Sequence, residues 1–123
     1  MPYMDYNNDG SIQISNEVIY SITKKATMEV NGVYSISTNF AEDIIEKIGK
    51  RLFSKGINIS VEEGDVKVNI NIIVKSSYKI YEVAAEVQSK IKSAIELMTN
   101  LNVSTINVNI VGIEIEKSKE KLS

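Results

Sequence analysis

The stretch over residues 77–100 constrains this chain more than any other. Ile80, Val83, Ala84, Val87, Ile91, Ala94, Ile95 and Met98 recur at the i, i+3, i+4, i+7 spacing of a single helix face. The implied helix has about six turns and is roughly 33 Å long. Lys79, Glu82, Glu86, Gln88, Lys90, Lys92 and Glu96 take the opposite face and belong in water. An apolar stripe of that length must lie on another surface. The segments on either side read as strands and supply one.

Upstream, Ile57, Ile59 and Val61 alternate with Asn58, Ser60 and Glu62. After the turn Glu62-Glu63-Gly64-Asp65, the residues Val66, Val68, Ile70, Ile72 and Val74 alternate with Lys67, Asn69, Asn71 and Lys75. This is a hairpin with one dry face and one wet face. Downstream, Asn100 serves as a left-handed cap and residues 103–116 form a last strand. Its inward phase runs Ile106, Val108, Ile110, then Ile113 and Ile115, so the slip at Val111-Gly112 predicts a β-bulge.

Nearer the start, residues 10–14 alternate as a short strand. Ser15 or Asn16 then caps a helix running to about residue 30, with Val18, Ile19, Ile22, Ala26 and Val30 facing inward. Asn31-Gly32 ends that helix, and residues 33–37 are extended. Thr38 or Asn39 caps a second helix with Ala41, Ile44, Ile45, Ile48 and Leu52 as its stripe, closed by Gly56. The expected order is β-α-β-α-β-β-α-β. This is an α+β, two-layer single domain over residues 10–116, with a mostly antiparallel sheet and helices packed on one face. Residues 1–9 are expected to be a flexible leader and residues 117–123 a charged tail.

At 123 residues the chain is one domain by length, able to bury roughly two-thirds of its unfolded surface. It has no cysteine and no histidine. Disulfides, thiolate zinc sites, the commonest general base and the usual transition-metal ligands are therefore absent. No Gly-rich phosphate loop or catalytic Ser, Asp and Lys grouping stands out. The reading is of a non-enzyme with no catalytic residues, cofactor or metal. A net charge of −2 provides no broad attraction to nucleic acid or anionic lipid. Nowhere do 18 apolar residues run together, and no basic-then-apolar signal opens the chain. The expectation is a protein kept in the cytoplasm that does not itself span a membrane.

Candidate sites are few. Asp5-Tyr6-Asn7-Asn8-Asp9-Gly10-Ser11-Ile12 matches the start of a calcium-binding EF-hand loop, but position 12 is Asn16 and no entering helix fits before it. A leader followed by an Asp-Gly turn accounts for it. Glu62, Glu63 and Asp65 form an acidic cluster at a hairpin tip, where charge is simply solvated. Lys47, Lys50, Arg51 and Lys55 make a basic patch late in the second helix, suited to its dipole. Within it, Ile48-Gly49-Lys50-Arg51-Leu52 is similar to the Ile-Gly-x-x-Gly loop with which KH domains clamp a nucleic-acid backbone, though Leu52 replaces the second Gly. That makes an RNA-binding module the alternative function. Asn58, Asn69, Asn71, Asn107 and Asn109 alternate with the core residues of three strands. With Ile73 and Val111 they would form an uncharged outer sheet face, the candidate for partner docking.

Taken in order, these segments resemble a known family. Gly10-Ser11-Ile12-Gln13-Ile14-Ser15-Asn16-Glu17-Val18-Ile19, Asn31-Gly32-Val33 and Lys55-Gly56-Ile57-Asn58-Ile59 are similar to segments of the alkaline shock proteins. So are Val83-Ala84, Val87-Gln88, Ala94-Ile95, Met98-Thr99-Asn100-Leu101-Asn102-Val103 and Ile106-Asn107-Val108-Asn109-Ile110-Val111-Gly112-Ile113. This is the Gls-type envelope stress response family of Gram-positive bacteria. The resemblance covers residues 10–113. Asn100 and Lys79 stand where that family often has Gly. What the resemblance implies is a non-enzymatic scaffold for cell-envelope homeostasis. It would self-associate and gather at the inner face of the membrane by docking to a membrane-anchored partner.

Overall fold

The computed structural model describes residues 3–7, 10–37, 46–48, 51–54 and 56–116, with side chains over 10–37 and 56–116. Tyr3–Asn7 (β1) and Gly10–Ile14 (β2) pair as an antiparallel hairpin in which Asp5 lies opposite Ile12. A calcium loop would have to wrap residues 5–16 around an ion. Here the backbone at residues 5–7 and 10–12 is drawn out as paired strands, inside and just after the expected leader.

Asn16–Met28 (α1) follows, and the Ser15 side chain accepts a hydrogen bond from Val18 N at 3.3 Å, as an N-cap should. The stripe of α1 is close to the expected one. Ile19, Ile22, Ala26 and Val30 are buried, but Val18 is exposed. Thr23 and Thr27 are wholly buried as well. Each donates its hydroxyl to the carbonyl one turn back (Ile19 O and Thr23 O, both 2.8 Å), which satisfies the polar atom in the core.

Val33–Ile36 (β3), Glu46–Ile48 (β4), Arg51–Ser54 (β5), Ile57–Glu62 (β6) and Asp65–Lys75 (β7) precede Ile80–Thr99 (α2), and Asn102–Glu114 (β8) closes the fold. The sheet order is β3-β7-β6-β5-β4, with β8 along the other edge of β7. Every pairing is antiparallel except β7 with β8. The α+β class, the mostly antiparallel sheet and the helices on one face are those the sequence indicates.

The middle of the chain departs from that expectation. The second helix was expected over residues 38–55. Residues 38–45, 49, 50 and 55 lie outside the described residues, while β4 and β5 occupy 46–48 and 51–54. Two physical reasons favour strand there. Gly49 would cost a helix interior about 1 kcal/mol relative to Ala. The edge of β6 meanwhile offers a row of backbone partners, which Arg51 to Ser54 take in register with Ser60 to Ile57.

The core lies between the sheet and the two described helices. Ile57, Ile59 and Val61 of β6 and Val66, Val68, Ile70, Ile72 and Val74 of β7 are buried against Ile19, Ile22 and Ala26 of α1 and Val83, Val87, Ile91 and Ile95 of α2. The α2 stripe is narrower than the sequence indicates. Ile80 and Met98 are exposed at its two ends, and Thr99 is buried instead, donating to Ile95 O at 2.6 Å. Asn100, at φ 65°, ends α2 in the left-handed conformation as expected.

Strand β8 carries the bulge foreseen at Val111. Its register jumps from Ile110 opposite Ile72 to Gly112 opposite Ile73. A second jump near Ser104, between Val103 opposite Val66 and Thr105 opposite Lys67, has no counterpart in the sequence reading.

Candidate docking face of the sheet

Alternation along β7 sends Lys67, Asn69, Asn71, Ile73 and Lys75 to the face away from the helices. On β6 the same phase belongs to Asn58 and Ser60. On β8 the jump near Ser104 restores the phase, so Thr105, Asn107 and Asn109 join that face. Register then decides which amides meet. Asn58 lies opposite Asn69, Asn69 opposite Asn107, and Asn71 opposite Asn109. The candidate asparagines therefore form two adjacent rows across the sheet.

Asn109 Nδ2 ties the rows together by donating to Asn71 Oδ1 at 2.9 Å and to Asn69 Oδ1 at 3.2 Å. A side-chain amide has two donors and a two-lone-pair acceptor, more than these bonds use. The face is thus ordered yet rich in hydrogen-bonding capacity. A shallow depression of about 380 Å³ lies at one end, lined in part by Asn58, Lys67, Asn69 and Asn107.

At the other end the surface turns apolar. Ile73 is half-buried opposite Gly112, where a Cβ would approach Ile73 Cγ1 to 3.3 Å, and Val111 is exposed at the bulge. The rows supply directional bonds and the Ile73 and Val111 end supplies apolar contact. No group in either is a nucleophile or base at neutral pH.

The other candidates fare differently. Asp65 is engaged within the fold, accepting from Asn102 Nδ2 and Ser104 Oγ, both at 2.8 Å, so it pins the start of β8 to β7. Those two hydrogen bonds, Ser104 first, hold its carboxyl below the usual aspartate range. Glu62 and Glu63 remain on the solvated hairpin tip. Of the basic patch, Lys47 lies in β4 and Arg51 in β5, while Lys50 and Lys55 lie outside the described residues. The helix that was to carry the patch is replaced by paired strands, with Ile48 opposite Arg51.

One cluster escaped the sequence reading. The start of β8 is tied along its outer edge to α2. Gln88 Nε2 donates to Ile106 O and Lys92 Nζ to Val103 O, both at 3.0 Å, while Glu96 Oε2 accepts from Val103 N at 3.0 Å. These side chains blunt that part of the edge. The only signal in the sequence was their i, i+4 spacing, which reads equally as a solvated face.

The hydrogen bond from Val103 N, followed by that from Lys92, lowers the Glu96 carboxyl below its ordinary range. A carboxylate favoured in the folded state stabilises it above the unfolded-state pKa and loses that contribution as pH falls through the folded value. Stability should therefore drop on acidification below about pH 4.5. In Glu96→Gln the drop should be shallower, as read from urea midpoints at stepped pH. Parallel wild-type and variant curves would contradict this role for Glu96.

Several known proteins are similar to this chain. Residues 4–115 match the alkaline shock protein 23 family, described as having a cell envelope-related function. A protein named YqhY from Bacillus subtilis (strain 168) is 32% identical over 113 residues, covering 92% of this chain and 84% of its own length. A stress response regulator gls24 homolog of Streptococcus pyogenes serotype M3 is 24% identical over 113 residues; these are 91% of this chain but 62% of that protein. Among solved structures, a variant of the MamM CTD superposes with a TM-score of 0.47 at 14% identity over 83% of this chain and 98% of its own. A likeness that loose says nothing about function. The family match and the YqhY identity, each spanning nearly the whole chain, carry the assignment: this protein belongs to the alkaline shock protein 23 family.

Proposed function

We propose that the protein is a non-enzymatic scaffold of cell-envelope homeostasis that self-associates and docks, through the outer face of its sheet, to a membrane-anchored protein. The observation that carries this reading is the amide surface. Asn58, Asn69, Asn71, Asn107 and Asn109 share one amide-rich face beside Ile73 and Val111, with Lys67 and Lys75 at its margins. A face that mixes amides with exposed aliphatics has the chemistry of a protein interface of moderate polarity. The cell envelope-related description of the family, and the stress-response name of one relative, support the cellular setting. No helix among the described residues is long and apolar enough to cross a membrane. The proposed contact with the envelope is through a partner at the cytoplasmic face of the membrane.

The test is retention of proteins from solubilised membranes of the native host. Asn69→Lys/Asn109→Lys places two cations in the middle of the face without touching the core. Membrane proteins held by the wild type should be lost by the variant, at unchanged Tm. Equal retention by both would overturn docking through this face. Recovery of RNA or ribosomes alone, lost at higher salt, would move the function to the nucleic-acid alternative.

A further inference from the structure

Strand β8 lies at an edge of the sheet, and α2 covers only half of that edge. The helix crosses the sheet diagonally. Its later turns lie over the start of β8, where Gln88, Lys92 and Glu96 bond the backbone of Ile106 and Val103. Its first turns have moved inward, because Val83 packs against Gly32, whose carbonyl accepts from Lys75 N at the end of β7. Tyr81, Ala85, Gln88 and Lys92 form one row at helical spacing. The first two do not cap the strand, since Ala85 is too short and Tyr81 is 85% exposed.

Backbone phase shows what this leaves open. Successive residues of β8 turn their N–H and C=O toward β7 and away from it by turns. Asn102 N donates to Gly64 O, and Glu114 O accepts from Ser76 N, so both residues face β7. Allowing for the extra residues near Ser104 and at Val111, the alternation points Ile106, Val108 and Ile110 outward. Ile106 O is taken by Gln88. The outward groups of Val108 and Ile110 have no partner among the described residues. Edges are ordinarily kept from pairing by charges or Pro, yet residues 104–113 carry neither.

This open stretch is complementary to itself. Antiparallel pairing of two copies centred on Asn109 sets Val108 of each opposite Ile110 of the other. Each such pair exchanges two backbone bonds, four in all, and Gln88 keeps its own bond. The axis stands perpendicular to the sheet, so each face meets its like. Val108 and Ile110 meet their counterparts on the helix side, and Asn109 meets Asn109 on the amide side. We infer that this half of the β8 edge binds β8 of a second copy, so that two sheets become one. The inference deepens the self-association part of the proposed function and rests on it. It also makes the two amide faces continuous across the seam.

The chain has no cysteine, so Asn109→Cys reports on the seam directly. The axis brings that residue opposite its own copy at a Cα separation of about 4.5 Å, within disulfide reach. On mild oxidation Asn109→Cys should cross-link about tenfold faster or more than Asn69→Cys, which lies one strand further in. In sedimentation equilibrium the full chain should be dimeric at about 100 μM, a modest affinity suited to a short seam. Val108→Pro removes an outward N–H that an edge strand can spare. Ala85→Lys extends the row of capping side chains from an exposed position. Each should weaken dimerisation about tenfold or more, with the fold unchanged by circular dichroism. Should Val108→Pro fail to fold, Ala85→Lys decides. A dimer that survives Ala85→Lys, with Asn109→Cys no faster than Asn69→Cys, would remove this seam and leave self-association standing. A wild-type chain that is monomeric at that concentration would remove both. If Ala85→Lys then lost membrane proteins that the wild type retains, the edge would belong to a strand of another protein.

Discussion

Ile91→Ala lowers the free energy of unfolding by about 3–4 kcal/mol and the Tm by roughly 12–16 °C. Ile91 sits in the middle of α2, is fully buried, and belongs to the same cluster as the inward residues of β7. Truncation removes three carbons from a packed interior, so the loss combines the transfer term with the void left behind. The surroundings cannot collapse easily, because β7 is held by neighbours on both edges. Against a typical total of about 5–15 kcal/mol this is a large fraction. Ile80→Ala, on the same predicted stripe but 38% exposed, should cost about 1 kcal/mol or less. Urea unfolding of the two variants checks the contrast, and losses of equal size would mean that the core is not where it is placed here.

Gly56→Ala should cost about 3–5 kcal/mol, a sum of backbone strain and overpacking. Gly56 has φ 86°, which a side chain resists, but the larger obstacle is the space around it. An added Cβ would fall 2.0 Å from the Ser37 carbonyl oxygen, which is backbone and cannot swing aside. Both strands are fastened at that point. Ser37 N donates to Asn71 O at 2.8 Å, and Asn71 N donates to Gly56 O at 3.0 Å. Moving either segment to relieve the clash breaks one of these bonds. Gly10 provides the control, since it too has positive φ (125°) but nothing lies within 4 Å of its Cβ position. Gly10→Ala should therefore show the conformational penalty alone, about 1–2 kcal/mol. Thermal unfolding of the two variants separates the contributions, and a Gly56→Ala loss no greater than that of Gly10→Ala would refute the collision.

Wherever burial follows a regular period, local pattern was enough to read this chain. The β6–β7 hairpin, the α2 helix, the Asn100 cap and the bulge at Val111 all follow from alternation or 3.6-residue spacing interrupted at one residue. The outer-face asparagines were legible for the same reason, because a side chain between two buried neighbours on a strand must point away from the core.

What local pattern left open was decided by tertiary contact. Leu52 completes an apolar spacing that suits a helix, yet Arg51 to Ser54 pair with β6, because an open sheet edge outweighs a weak helical preference interrupted by Gly49. Thr23, Thr27 and Thr99 count as polar in any pattern, and only a carbonyl one turn back makes them core residues. Val18 and Met98 fit their stripes but stay exposed, because no periodicity says where the surface beneath a helix stops. Which asparagine meets which also depended on the register jump near Ser104. Sequence thus determined the elements whose burial is periodic along the chain. Strand pairing, the limits of the core and the meeting of side chains distant in sequence depend on long-range geometry, which the folded structure alone sets.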